Sequence, residues 1–338
     1  MRRLLALVLT VAVLAGVVGA GWRIALHWQR APLPLAAPVT VEIAPGSSLR
    51  SIAGTLHDGG VLPHPLPFVL LAYWHDAAQS LQAGEYRFEP GDTPLDVLHQ
   101  LVAGRVLQHR FTIVEGWTFA DLRRALTQAE PLRQQGAALS DDELMAALGH
   151  PDQHPEGRFL PETYQYVRGD SDLALLARAH AAMAAALAAS WQTRAAELSV
   201  DTPAEALVLA SIIEKETAVG TERATISGVF HRRLALGMRL QTDPTVIYGL
   251  GSRFDGDLRR ADLARDGPYN TYQRTGLPPT PIALPGRAAL EAAVHPEPGE
   301  ALYFVARRDG THVFSADYAA HRQAVACHQL QRCEGATP

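Results

Sequence analysis

The chain has little cysteine, little charge and only one long apolar run. Cys327 and Cys333 are the only two cysteines in 338 residues. Two are too few for a disulfide-built scaffold, and their spacing is wrong for a zinc ribbon. Charged residues make up 19% and the formal net charge is −5. No Lys/Arg cluster forms the basic stripe with which a nucleic-acid binder meets phosphates, so no nucleic-acid partner is expected. GxSxG, P-loop and dinucleotide fingerprints are all missing, which removes the motif-based grounds for nucleophilic-serine or nucleotide chemistry. His312, His321 and His328 lie near the cysteines, but their spacing fits no zinc site, and they read as surface histidines on a dispensable tail. Against these shortages stands a 47% hydrophobic fraction, ample for a core in a chain long enough for two or three domains.

The long apolar run is Leu4 to Trp22, LLALVLTVAVLAGVVGAGW, without a charge. As a helix it would rise about 28 Å, close to the hydrocarbon thickness of a bilayer. Arg2 and Arg3 precede it, and Arg23 and Arg30 follow. It reads as an uncleaved transmembrane anchor over 4–22 behind a cytoplasmic tail, 1–3. A cleaved signal peptide with Val18 and Ala20 before the cut is the rival, although the run is longer than the usual apolar region of a signal. Positive charge is nearly balanced on the two sides. The simpler orientation keeps the three-residue tail inside and exports the rest. APLPLAAP, 31–38, then reads as an extended Pro/Ala linker.

A weak internal repeat follows. VEIAPGSSLRSIAGTL (41–56) aligns without gaps on FTIVEGWTFADLRRAL (111–126), and YRFEPGDTPLDVL (86–98) repeats the plan. Each unit predicts a short strand, a turn at Gly46, Gly91 or Gly116, a cap at Ser48, Thr93 or Thr118, and an amphipathic helix. With a further helix around Leu66–His75, residues 39–90 predict a strand–helix–helix–strand unit. That order is ordinary α+β packing, and it is also the order of LysM carbohydrate-binding modules.

The second half begins helical. Ser140–Glu143 forms a capping box for a helix to about Leu148, and Asp170 or Ser171 caps an Ala-rich helix to about Leu198. Thr202-Pro203-Ala204-Glu205 opens a helix to about Ala218, and Thr221 starts another to Leu236. Residues 241–300 read as loops and short strands. A hairpin of Leu302–Ala306 with Val313–Phe314 and a helix over about Ala316–Gln331 close the chain.

The helix from 203 carries ASIIEKET, with Glu214 and Glu216 about 200° apart around its axis. Glu216 continues the stripe Leu209, Ile212, Ile213. A carboxyl at the end of an apolar stripe loses hydration, which raises its pKa toward that of a general acid. Glu214, among Ala210, Ser211, Thr217 and Ala218, reads as a structural or hydrogen-bonding group. A solvated Glu216 at a helix end remains open on this pattern alone. Downstream, QTDPTVIY (241–248) and YNTY (269–272) gather candidate sugar-binding groups. The rings of Tyr248, Tyr269 and Tyr272 suit sugar faces, and Gln241, Thr242, Asp243 and Asn270 suit hydroxyl and N-acetyl groups. The proline-rich GLPPTPIALPG (276–286) suits a stiff cleft wall.

ASIIEKETA (210–218), RLQTDPTVIYG (239–249), YNTY, TGLPP (275–279) and His295-Pro296 together resemble the endolytic murein transglycosylases, the MltG or YceG-like family. The likeness extends to the anchor, to FLPETY (159–164) and to the YFVA hairpin. Arg232, Thr280 and Leu284 depart from the family pattern, in detail of the pocket wall. The resemblance implies an α+β fold: an anchor, a LysM-like subdomain over 39–108, a mixed helical/β catalytic domain over 109–333 with the active Glu on a helix, and a disordered tail, 334–338. It implies a lyase that cuts the β-1,4 bond from N-acetylmuramic acid to N-acetylglucosamine within nascent strands, leaves 1,6-anhydro ends and ends glycan elongation. Glu216 matches the family's catalytic glutamate. No metal or other cofactor is implied. The implied setting is a bacterial inner membrane, crossed once, with the catalytic domain on the periplasmic side. Peptidoglycan strands and the peptidoglycan synthases (penicillin-binding proteins) are the implied partners. A non-catalytic peptidoglycan-binding scaffold, and a muramidase-type hydrolase that recruits Asp243 or Glu222 as second carboxylate, remain as alternatives.

Overall fold

The computed structural model describes residues 2–332. Cys333 and the tail 334–338 lie outside them, as does Met1 of the tail 1–3. The fold is mixed α+β, with three two-stranded sheets among the described residues, and the chain divides into two compact units.

The first unit comprises residues 1–109 and 165–169. It opens with α1, Arg2–Trp28, longer than the apolar run because nothing after Trp22 breaks a helix until Pro32. Its length is about 40 Å, enough to cross a membrane, and its leucines and valines are exposed along the run. Strand β1 (Val39–Ile43), helices α2 (Leu49–Asp58) and α3 (Pro65–Trp74), and strand β2 (Gly84–Phe88) follow in the expected order. β1 and β2 pair antiparallel, Val39 opposite Phe88 and Ile43 opposite Gly84. Helix α4 (Pro94–Ala103) closes the unit. Ser48 and Thr93 cap α2 and α4 as their hydroxyls predict, each accepting a backbone N–H. Gly46, Gly91 and, in the second unit, Gly116 have φ of +78°, +103° and +76°, which side chains disfavour and tight turns require. The core gathers Ile52, Leu56, Phe68, Tyr86, Phe88 and Leu98. The segment 31–38 is irregular, as a linker would be, yet Leu33 is buried in this core and its N–H donates to the Asp92 carbonyl.

The second unit holds 110–164 and 170–338. It holds all but the first residue of strand β3 (His109–Thr112) and the first two residues of β4 (Thr163–Tyr166), with α5 (Phe119–Leu126) and α6 (Asp141–Ala147). Thr118 and Ser140 make complete capping boxes with Asp121 and Glu143. Ser171 caps α7 (Asp172–Gln192), which stops short of Leu198. Thr202 caps α8 (Pro203–Glu216) through its box with Glu205. A 3₁₀ turn at Gly220–Glu222 leads into α9, Arg223–Ala235.

Helix α8 is the axis of this unit. Its residues Ala206 to Ile213 are all buried, because α7, α9, α12 (Arg287–Val294) and α10 (Asp243–Leu250) pack around it. A helix apolar on every face must be enclosed in this way. Leu207, Leu209, Ile212 and Ile213 are fully buried, each contributing on the order of 1.5–3 kcal/mol relative to exposure. The expected stripe is therefore a helix buried on every face over Ala206–Ile213, whose far side is covered as well.

Residues 241–300 differ from the expectation of loops and short strands. They carry no strand and three helices, α10, α11 (Arg260–Ala264) and α12. Pro244 in the first turn suits the start of α10, and eight residues are too few to display a helical period. The hairpin β5 (Tyr303–Ala306) and β6 (His312–Ser315) pairs Tyr303 with Ser315, and α13 (Tyr318–His328) follows it.

Gly228 in α9 lies where a Cβ would run into the Glu297 carbonyl. Gly228→Ala is expected to destabilise the second unit by about 1–3 kcal/mol through overpacking, read as a lower thermal midpoint by circular dichroism.

Candidate active site

Glu216 is the last residue of α8. The helix ends because Thr217 turns to extended backbone, φ −143° and ψ 134°, and its buried hydroxyl accepts the Val219 N–H at 2.9 Å. Glu216 thus sits at the C-terminus of α8, the negative pole of the helix. It lines a cleft of about 440 Å³ in the second unit. Burial pushes its pKa up to about 7; the Asp243 charge adds to the rise, while the Thr242 hydrogen bond, His312 and Arg233 oppose it. The Thr242 hydroxyl donates to Glu216 Oε1.

The donor is held by a buried threonine cluster. The Thr242 N–H donates to Thr271 Oγ1 at 3.1 Å, the Thr245 hydroxyl donates to the Thr242 carbonyl at 2.8 Å, and the Thr245 and Thr271 hydroxyls meet at 2.8 Å. Gln241 just before it has φ +53°, left-handed for a residue with a side chain, a strain retained where neighbours fix the backbone. Asp243 opens α10, where a helix N-terminus favours negative charge. It accepts the Tyr272 hydroxyl at 2.6 Å. Burial, and then Asp243, raise the Tyr272 pKa, so its hydroxyl stays a donor. Glu216, Gln241, Thr242, Asp243 and Tyr272 therefore share one cleft.

The rest of the lining comes from residues that the sequence reading missed or took for surface groups. Arg233, buried, lines the cleft with Tyr303, His312, Tyr318 and His321. Its Nε donates to the Leu302 carbonyl at 2.6 Å and its Nη1 to the Leu240 carbonyl at 2.7 Å, with the guanidinium 5.1 Å from the Tyr303 ring centre. A signal for it was present. Ile226, Val229 and Phe230 are buried on α9, and Arg233 is the next residue of that stripe, just as Glu216 continues Leu209, Ile212 and Ile213. His312 corrects the reading of a dispensable surface tail. It is buried against Glu222, which accepts its N–H at 2.9 Å and meets its Nδ1 at 2.7 Å. The strand β6 carries it inward, which histidine spacing could not reveal. Glu222 is thereby occupied and does not line the cleft. Among the described residues no group of three His, Cys, Asp or Glu is placed to hold a metal ion.

The other expected residues lie elsewhere in the unit. Glu214 is as desolvated as the stripe argument expected of Glu216 alone, and burial raises its pKa too. Its partners differ: it accepts the Gly286 N–H at 2.9 Å and faces Arg223 at 3.6 Å. Asn270 is spent on its own loop, its amide donating to the carbonyls of Asp262, Leu263 and Arg265 while Oδ1 accepts the Tyr272 N–H. Tyr248 and Tyr269 pack edge to face, 4.9 Å apart. Tyr248 donates to Glu156 at 3.1 Å and Tyr269 meets the Thr280 hydroxyl at 2.8 Å. None of these four lines the Glu216 cleft. Gly276–Pro281 line another concavity of about 600 Å³, with Asp152, His154 and Arg158. Glu156 is buried, and burial pushes its pKa to about 7 as well.

Comparison with known proteins gives the family. Residues 41–327 match the YceG-like family, and the chain belongs to that family. It is 31% identical over 303 residues to a Bacillus subtilis protein named endolytic murein transglycosylase, covering 85% of this chain and 83% of that one. A Streptococcus pneumoniae serotype 2 protein of the same name is 29% identical over 325 residues, covering 86% of this chain; this chain spans 58% of that longer protein. The crystal structure of a yceG-like protein from Listeria monocytogenes superposes with a TM-score of 0.55 at 29% identity, covering 84% of this chain and 98% of that one.

With Glu216 raised from 4.5 to about 7, the folded state holds the extra proton between those values and stability falls as pH rises through that window. Glu216→Gln should match the wild type at pH 4 and be more stable at pH 8 by up to about 3 kcal/mol, the full linkage of such a shift. Thermal midpoints of both proteins across pH 4–8 measure this difference.

Proposed function

We propose that this protein is an endolytic lytic transglycosylase of peptidoglycan, with Glu216 as its single acid/base. The observation that carries the reading is a carboxyl that lines a cleft and whose pKa burial pushes up to about 7. The relatives' name supplies the substrate class, glycan strands of murein.

The protonated Glu216 carboxyl donates to the glycosidic oxygen of the muramyl–glucosaminyl bond. The bond breaks with positive charge growing at muramyl C1. The carboxylate then takes the proton of the muramyl C6 hydroxyl, whose oxygen closes on C1 to form the 1,6-anhydro ring. The attacker is tethered to the sugar, so its effective concentration is high and no water need be activated. Ordinary glycosidases need a second carboxylate for that step or for a covalent intermediate. Thr242 orients the Glu216 carboxyl, and Asp243 keeps its pKa high and offers negative charge to the developing cation. Gln241, Tyr272, Arg233 and Tyr303, which line the same cleft, bind sugar hydroxyls. Glu214, Tyr248, Tyr269 and Asn270 are supporting residues outside the cleft, and Asn270 holds the Tyr272 backbone.

The remaining organisation follows the same reading. Helix α1 crosses the bacterial inner membrane once through 4–22, with the catalytic domain, 109–333, on the periplasmic side beside peptidoglycan synthases. The β–α–α–β order of β1, α2, α3 and β2 supports a LysM-like subdomain over 39–108. Endolytic cutting there releases nascent strands and ends their elongation.

Mass spectrometry of fragments from uncrosslinked peptidoglycan tests the reaction. The wild type should give internal fragments one water lighter than hydrolysis products, and Glu216→Gln should lose at least about 10²-fold in rate, the usual weight of a general acid. Asp243 in the same cleft favours one second reading, a two-carboxylate hydrolase. Asp243→Asn separates them. In a transglycosylase it keeps the anhydro product and moves the alkaline limb of kcat/KM to lower pH, because removing the like charge lowers the Glu216 pKa. In a hydrolase the products carry reducing ends and Asp243→Asn abolishes them.

A further inference from the structure

Helix α3 has an apolar outer face that the first unit leaves uncovered. All ten of its residues, PLPFVLLAYW, are apolar or aromatic, and residues 63–75 contain no Asp, Glu, Lys or Arg. Phe68, Val69, Leu71 and Ala72 point into the core. Leu66, Leu70, Tyr73 and Trp74 share the opposite face and are 66, 62, 67 and 41% exposed. In water such a helix leaves an unpaid apolar surface, whereas a helix of this kind lying in a bilayer boundary buries it.

What covers the face is indicated by its neighbour. The Trp74 ring lies 4.5 Å from that of Trp22, at the far edge of the apolar run of α1. Between the two helices is an apolar hollow of about 310 Å³, lined by Gly21, Ile24 and Trp28 from α1 and by Pro67, Leu70 and Trp74 from α3. If Leu4–Trp22 spans the hydrocarbon, Trp22 marks the boundary on the other side, the depth at which Trp and Tyr rings concentrate. The exposed face of α3 is continuous with the lipid-facing surface of α1 and lies at that depth.

We infer that α3 is a second membrane element: Leu66, Leu70, Tyr73 and Trp74 lie in the boundary layer of the exported leaflet, and the hollow beside Trp22 takes a lipid chain. The inference rests on the anchor reading of α1. It gives the first unit two points of attachment, one spanning and one lying flat, so that this unit is held against the bilayer instead of hanging from a tether.

The test uses the full chain with Cys327→Ser and Cys333→Ser, reconstituted in vesicles of phosphatidylethanolamine and phosphatidylglycerol. Nitroxide labels are attached singly through Leu70→Cys, Val11→Cys in α1, or Leu236→Cys, an equally exposed leucine (64%) of the second unit. Collision rates with oxygen, which enters lipid, and with a water-soluble nickel chelate give the depth of each label. Circular dichroism checks that each labelled protein is folded. The expected result is an oxygen-to-nickel ratio at position 70 about tenfold above that at 236, and close to that of a label at the lipid boundary. Position 11 should be deeper still. A lipid-like position 11 with a water-like position 70 overturns the inference and leaves the anchor standing. A label at 70 shielded from both agents, with spin–spin broadening, would mean that a second copy covers the face, which also overturns it. A water-like position 11 removes the anchor itself, and the inference with it.

Discussion

The desolvation of one carboxyl at the end of a buried helix is the constraint on which the cleft depends. Helix α8 is enclosed on all sides for two turns, Ala206 to Ile213; beyond them Lys215 is exposed, while the Glu216 carboxyl turns into the cleft. Water that would hydrate Glu216 is replaced by a threonine hydroxyl and by nearby charges of both signs. The ionised form loses more from this exchange than the neutral form, and the pKa rises by the corresponding free energy. A helix C-terminus acts in the same direction. Stability is sacrificed at neutral pH at the carboxyl proposed as the proton donor.

The same construction occurs twice. On α8 the stripe Leu209, Ile212, Ile213 ends on Glu216, and on α9 the stripe Ile226, Val229, Phe230 ends on Arg233. Each helix is fixed by its apolar residues and carries one charge into the cleft at the next position of the stripe. Arg233 is satisfied by backbone carbonyls, so its charge can face the cleft without pairing with Glu216 outright. Were the two to form a close ion pair, the carboxyl would ionise and lose its proton at lower pH. The buried cluster of Thr242, Thr245 and Thr271 performs the complementary task of holding the hydroxyl that orients Glu216.

Much of this was readable in the residues. The caps at Ser48, Thr93, Thr118, Ser140, Ser171 and Thr202 are local chemistry, and each hydroxyl accepts the N–H that its position in the sequence indicated. The stripe that led to Glu216 was local as well. What escaped was decided by distant contacts. Tyr248, Tyr269 and Asn270 are suited to sugars by type, but their polar atoms are already engaged by Glu156, Thr280 and loop carbonyls. His312 looked like part of a tail until the hairpin placed it against Glu222. Helices α10, α11 and α12 are too short to show a period, and packing on α8 sustains α10 and α12.

The proposed chemistry depends on the protonation state of a single side chain, and that state can be measured directly. In protein labelled with ¹³C at the glutamate carboxyl carbons, the Glu216 resonance is the one that disappears in Glu216→Gln. Its titration in the absence of substrate should have a midpoint near 7. A midpoint near 4.5, the ordinary value, would mean a solvated carboxylate at a helix end, and the single acid/base would have to be sought elsewhere in the cleft.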